Sequence, residues 1–161
     1  MYFVIMGSPG SGKTTLAHKL AKDMNGVTII SCGDLYRKHG KYNNDLKKAS
    51  GINFETWLAG LHQFIIDEIA REIQRTNTPN YIIDGLWKEN LEMFEQNIGK
   101  IDKIYYLMCP YNLAYERLMA RQRHDDYPAK IQKRLRSYFD REPECLLVVK
   151  KYPHKLVGVE N

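Results

Sequence analysis

The segment Gly7-Ser8-Pro9-Gly10-Ser11-Gly12-Lys13-Thr14 has the spacing G-x-x-x-x-G-K-[ST], directly after the apolar run Tyr2 to Met6 and at the start of a helix-period stretch. Its chemistry is anion binding. Gly7, Gly10 and Gly12, with Ser11 between the last two, let backbone N–H groups converge on phosphate oxygens at the positive end of the helix that follows. Lys13 then reaches the β- and γ-phosphates of a triphosphate such as ATP, and the Thr14 hydroxyl becomes a ligand for Mg²⁺. The rival reading, a glycine-rich turn without a ligand, fits less well because strand and helix flank the segment in the required order.

Asp84 ends a second apolar run, Tyr81-Ile82-Ile83, and precedes Gly85. A carboxylate at a strand end is commonly a cap. After a phosphate-binding loop it is read as holding Mg²⁺, directly or through water. Transfer of a γ-phosphoryl also needs positive charge on the migrating group. The net charge of +5 supplies it locally: residues 1–116 hold 13 Lys/Arg and 13 Asp/Glu, whereas 117–155 hold 11 basic side chains against 5 acids. Arg117 and Arg121 share a helix face at i, i+4, Arg123 follows, and Arg134 lies on the next helix. Asp125 and Asp126 are placed to orient these guanidiniums. The five histidines have no metal-ligand spacing and carry no assigned role. Trp57 and Trp87 read as core or rim, with base stacking by Trp87 the lesser alternative.

These residues need elements to position them. Apolar runs alternate with helix-period stretches, which predicts an α/β fold around a parallel sheet. Strands are expected at Tyr2 to Met6, Val27 to Ser31, Tyr81 to Asp84, Lys103 to Met108 and Leu156 to Val159. Helices are expected at about Lys13 to Met24, Asp34 to Ala49, Phe54 to Gln74, Lys88 to Asn97, Tyr111 to Arg121, Pro128 to Asp140 and Glu142 to Lys150. Residues 32–80 hold more helix than one crossover needs, which suggests an insertion over a ligand. The length of 161 residues, 43% of them hydrophobic and 27% charged, suits one globular domain. No apolar run is long enough for a membrane span, and three distant cysteines make no disulfide framework, so a cytoplasmic location is expected.

The chain resembles the adenylate kinase family of nucleoside monophosphate kinases along almost its whole length. The likeness is carried by Gly7 to Thr15, Ile30-Ser31-Cys32-Gly33-Asp34-Leu35-Tyr36-Arg37, Ile83-Asp84-Gly85, and Arg117, Arg121 and Arg123-His124-Asp125-Asp126 with Arg134-Leu135. It implies a three-layer P-loop fold in one domain, with a five-stranded parallel sheet, a monophosphate-binding insertion at about 32–80 and a short lid at about 121–127. Thr15 would join the ATP site and Arg117 would lie against the donor adenine. Arg121, Arg123 and Arg134 would clamp the phosphates from the lid side. Cys32, Gly33, Arg37 and Gly85 would form the acceptor side, with Arg37 on the acceptor phosphate.

The chain also departs from that pattern. Leu86-Trp87-Lys88 stands where Phe-Pro-Arg is usual, so Lys88 replaces an acceptor-phosphate arginine and loses its bidentate fork. Glu92 replaces an adenine-contacting Gln, Cys32 a Thr, and only Gln122 separates Arg121 from Arg123. The implied function is Mg²⁺-dependent transfer of the ATP γ-phosphoryl to a nucleoside monophosphate, with Lys13, Lys88, Arg121, Arg123 and Arg134 acting on the phosphates. A monomer is expected, with neither nucleic acid nor membrane as partner. Three other readings stay open, namely a P-loop kinase of a non-nucleotide metabolite, a weakly catalytic nucleotide-binding regulatory module, and nucleic-acid binding through the basic residues 117–155, which no recognised nucleic-acid motif supports. For the base contact, Asn90 or a solvated Glu92 stays open beside a base-reading Glu92.

Overall fold

Tyr2–Gly7 forms β1 at the centre of a five-stranded sheet in the computed structural model, which describes residues 1–39, 54–121 and 127–159. The other strands are β2 (Val27–Ser31), β3 (Asn80–Asp84), β4 (Lys103–Met108) and β5 (His154–Gly158), in the order β2-β3-β1-β4-β5. Every pairing is parallel. A parallel sheet must be covered on both faces, and the period-two alternation of strand side chains sorts the apolar residues accordingly. Val4, Met6, Tyr81, Ile83, Ile104 and Tyr106 enter one core. Ile5, Ile82 and Leu107 enter the opposite one.

The covering helices are α1 (Lys13–Ala21), α2 (residues 32–39), α3 (Phe54–Thr76), α4 (Lys88–Asn97), α5 (Tyr111–Arg121) and α6 (Pro128–Val149). Helix α1 packs on the face of Ile5, Ile82 and Leu107 through Ala17 and Leu16. Helices α3 and α4 and the C-terminal part of α6 cover the other face through Ile65, Ile69, Leu91, Phe94 and Val149. Helix α5 packs on the N-terminal half of α6 through Ala114, Leu118, Ile131 and Leu135. The expected five-stranded parallel α/β fold is therefore present. The insertion's middle and the lid residues 122–126 lie outside the described residues.

One expectation is corrected. Two helices were expected between Pro128 and Lys150, yet α6 runs unbroken to Val149 with Pro143 inside it. A proline removes one i→i−4 hydrogen bond and crowds the preceding turn. Here the inward-facing series Ile131, Leu135, Tyr138, Glu142, Cys145 and Val149 keeps steps of four and three straight through Pro143. The first two of these residues and Cys145 and Val149 are buried. The Glu142 carboxylate accepts a hydrogen bond of 3.0 Å from Tyr106 of β4, whose hydroxyl also meets that of Tyr138. Continuous anchoring on both sides of the proline outweighs one lost hydrogen bond.

Candidate active site

The C-terminal ends of β1, β3 and β4 lie side by side, with Ile5 paired to Asp84 and Gly7 to Leu107. In an open parallel sheet the crevice beyond these ends is where ligands bind. A cleft of about 1860 Å³ opens there, lined by Gly7 and Gly10 to Thr15 from β1, α1 and their connecting loop. Gly10 has φ +74°, and a Cβ there would stand 2.6 Å from the Ala114 carbonyl oxygen, so only glycine lets the loop seat against α5. Helix α5 adds a brace, since Arg117 Nη1 donates to the Ser11 carbonyl oxygen at 3.2 Å. Gly12 caps α1 without a side-chain hydrogen bond. The first-turn N–H groups thus have no side-chain acceptor at this cap, the arrangement that suits an anion.

Lys13 folds over this loop, its Nζ donating to the carbonyl oxygens of Ser8 at 2.8 Å and Gly7 at 3.1 Å. Burial pushes its ammonium down to about 8; Asp84 acts against that shift, while Arg134 and Arg121 act with it. A bound polyphosphate would restore the charge. The sign follows from linkage: a group protonated more readily in the complex takes up protons on binding, and affinity falls as pH rises through the free-state value. Below pH 7 Lys13 already carries its proton in both states and contributes no uptake. We therefore expect calorimetric titration with ATP, in two buffers of different protonation enthalpy, to show proton uptake at pH 8–9 that disappears in Lys13→Met.

Thr14 Oγ1 donates to Asp84 Oδ2 at 2.9 Å, and Asp84 is only 4% exposed. A nearly buried carboxylate calls for a cation. Two hard oxygen donors beside a phosphate site, with room for water and phosphate oxygens, suit Mg²⁺, which seldom uses an all-protein cage. The donor set fits the ion. Among the described residues no group of three or more His, Cys, Asp and Glu side chains makes a separate metal site.

The same cleft is lined by Gly33, Asp34, Tyr36 and Arg37 of α2 and by Gly85, Leu86 and Trp87 after β3. Arg37 forms an ion pair with Asp34 and lies over Gly33. Gly85, at φ +89°, turns the chain sharply beside Lys13 Cε and donates its N–H to the Ile5 carbonyl at 2.9 Å. Basic residues complete the lining: Arg117 and Arg121 from α5, and Lys130, Lys133, Arg134 and Arg141 from α6.

The structure thus brings together Gly7, Gly10, Ser11, Gly12, Lys13, Thr14, Thr15, Gly33, Arg37, Asp84, Gly85, Arg117, Arg121 and Arg134. Arg123 lies outside the described residues. Three expected residues take other places. Cys32 is fully buried in the sheet core, where burial drives its thiol pKa upward. Glu92 is exposed and accepts a bond of 3.4 Å from Gln96. Leu91 and Phe94 set the buried phase of α4, and that phase turns Glu92 towards Tyr152, whose phenol burial, Glu95 and Glu92 together raise. Lys88 stands outside the lining, with Nζ 3.4 Å from both Glu89 and Glu144. Burial alone would lower Lys88, but these two carboxylates carry its pKa above the ordinary value.

Sequence reasoning named Trp87 and Asn90 separately and missed that Tyr36 joins them. Tyr36 and Trp87 stack with centroids 4.0 Å apart and planes 16° from parallel. Asn90, fully buried, accepts from the Tyr36 hydroxyl at 3.3 Å and lies 3.1 Å from His62 Nδ1. The only signal available was Asn90 one turn into α4 after Trp87, too weak to choose between surface and core.

Comparison with known proteins agrees with this geometry. A family model described as an AAA domain matches residues 6–132. The chain is 29% identical to the adenylate kinase of Thermosynechococcus vestitus over 167 aligned residues, covering 94% of this chain and 84% of that protein. It is 30% identical to the uridylate kinase of Saccharomyces cerevisiae, covering 83% and 70% respectively. The crystal structure of TT1252 from Thermus thermophilus superposes with a TM-score of 0.64 at 16% identity, covering 100% of this chain and 89% of that one, a likeness of fold.

Proposed function

Because the chain belongs to the matched P-loop family and to the adenylate kinase family of nucleoside monophosphate kinases, we propose that it transfers the γ-phosphoryl of ATP to a nucleoside monophosphate, giving ADP and a nucleoside diphosphate, with Mg²⁺ required. The observation that carries this reading is a single cleft lined both by the Lys13 loop and by Gly33, Arg37 and Trp87. Its volume of about 1860 Å³ exceeds the roughly 300–1,000 Å³ of one small-molecule site. Two nucleotides fit such a space better than one.

The chemistry asks for positioning more than for a base. The acceptor phosphate is largely ionised at neutral pH, so its oxyanion attacks the γ-phosphorus. A new P–O bond forms there as the bond to the β–γ bridging oxygen breaks, and ADP leaves as an oxyanion. Lys13, Arg121 and Arg134 carry compensating charge to the migrating group, with Arg123 joining them from the lid. Arg37 holds the acceptor phosphate, assisted by Lys88 once it leaves Glu144. Thr14 and Asp84 would hold the Mg²⁺, which when bound spreads the charge of the β- and γ-phosphates. Arg117 positions the loop and the adenine side of the donor. We place the reaction in the cytoplasm and the protein as a monomer, in keeping with three free, buried cysteines.

A coupled ADP-release assay over nucleoside monophosphates and small phosphorylated and hydroxylated metabolites tests the reading. We expect turnover with at least one monophosphate well above the acceptor-free ATPase rate, and its loss when EDTA removes divalent ions. Turnover with a metabolite alone would overturn the acceptor assignment. ATP binding without transfer to any compound would overturn the reaction.

A further inference from the structure

We propose that Trp87 is the stacking surface for the acceptor base, so that ring area rather than a hydrogen-bond code sets acceptor preference; this rests on the functional reading above. Trp87 precedes α4 in extended conformation, at φ −85° and ψ 154°. It lines the cleft yet remains 40% exposed. An indole open on the cleft wall offers aromatic surface on which a flat ring can stack.

The ring is held ready for such a cover. Tyr36 occupies one of its faces at 4.0 Å, and His62 lies near-perpendicular at 5.9 Å. Tyr36 is fixed in turn by its hydroxyl bond to Asn90, which is fully buried and so cannot swing out to a ligand. With one face taken by Tyr36, a stacked base must use the other. Gly33, Arg37 and Gly85 line the same cleft as Trp87, and Arg37 directly follows the stacked Tyr36 in α2, so we set the acceptor phosphate at Arg37 and its base on the ring. Asn90 is committed to Tyr36 and His62, and Glu92 faces out of the cleft, so neither residue first considered for reading the base edge is available to do so. Stacking is tolerant because every base has a π-face, and larger rings gain more.

Two measurements test this. The chain has two tryptophans; Trp57 packs against the core away from the cleft lining, so Trp57→Phe leaves Trp87 as the reporter. Its emission should be quenched saturably by AMP or GMP. In steady-state kinetics at saturating ATP, Trp87→Leu should raise the acceptor KM by about tenfold or more, most for purine monophosphates, with kcat and the ATP KM little changed. Trp87→Phe, which keeps a π-face, should stay within about threefold of the parent. Leucine also loses the stack with Tyr36, so the fluorescence titration is what separates base stacking from mere support of Tyr36: a structural role alone would leave the emission unmoved by acceptor. Equal acceptor KM in the two variants, or emission unmoved at saturating acceptor, would overturn the role of Trp87 while transfer itself continues. A parent that phosphorylates no monophosphate would instead remove the functional reading, and this inference with it.

Discussion

Lys13→Ala lowers kcat for phosphoryl transfer by about a hundredfold or more, the scale of losing one preorganised charge at a transition state, while the fold persists. The ammonium is drawn over the loop by the Ser8 and Gly7 carbonyls and is close enough to Asp84, Arg121 and Arg134 to feel all three. In the proposed reaction it stands where phosphoryl charge would accumulate, and no other described lysine has that relation to the loop. Removing it should cost little stability, because its charge is carried in the folded state against burial. Steady-state kinetics with circular dichroism on the same sample checks both halves; unchanged kcat with an intact spectrum would remove Lys13 from the reaction.

The larger loss is expected at Arg134. An arginine supplied to a transferring phosphoryl contributes on the order of 10³–10⁵ in rate, and Arg134→Ala is expected near the lower end because Arg121 lines the same cleft. Arg134 sits on the well-anchored N-terminal half of α6, next to buried Leu135. The backbone that presents it is therefore rigid, and the substitution should act on chemistry rather than on folding. Arg134→Lys keeps the charge but loses the planar fork and should recover only part of the rate. Single-turnover rates at saturating ATP separate the chemical step from binding. Parent-like rates in Arg134→Ala would show that the clamp is assembled from other residues.

What could be read from the chain alone follows from how local each signal is. The loop from Gly7 to Thr15 is contiguous, and its chemistry depends on backbone turns that glycine spacing announces. Asp84 was legible because a carboxylate at the end of an apolar strand lands at the sheet's carboxyl edge, and the register with Ile5 and Ser31 put it there. Pro143 misled because a breaker is a local sign, whereas the inward series from Ile131 to Val149 is a longer one that prevailed. Cys32, Glu92 and Lys88 were placed by position within a motif, which says nothing about rotation about a helix axis or competition from a distant carboxylate such as Glu144. The Tyr36–Trp87 stack joins two segments that only the packing of α2 against the turn after β3 brings together, so no spacing rule could find it.

The register of the sheet also bears on when the site comes into being. Phe3 pairs with Ile82 and with Lys103, 79 and 100 positions later in the chain, and Thr14 finds Asp84 across 70. Contacts between such distant residues form only after loop-closure entropy has been met, and parallel pairing is intrinsically slow for that reason. Helices α3 and α6, of 23 and 22 residues, are local and are free to form earlier. On this ground nucleotide competence is expected to arrive late in folding, once the strands carrying Gly7 and Asp84 have paired.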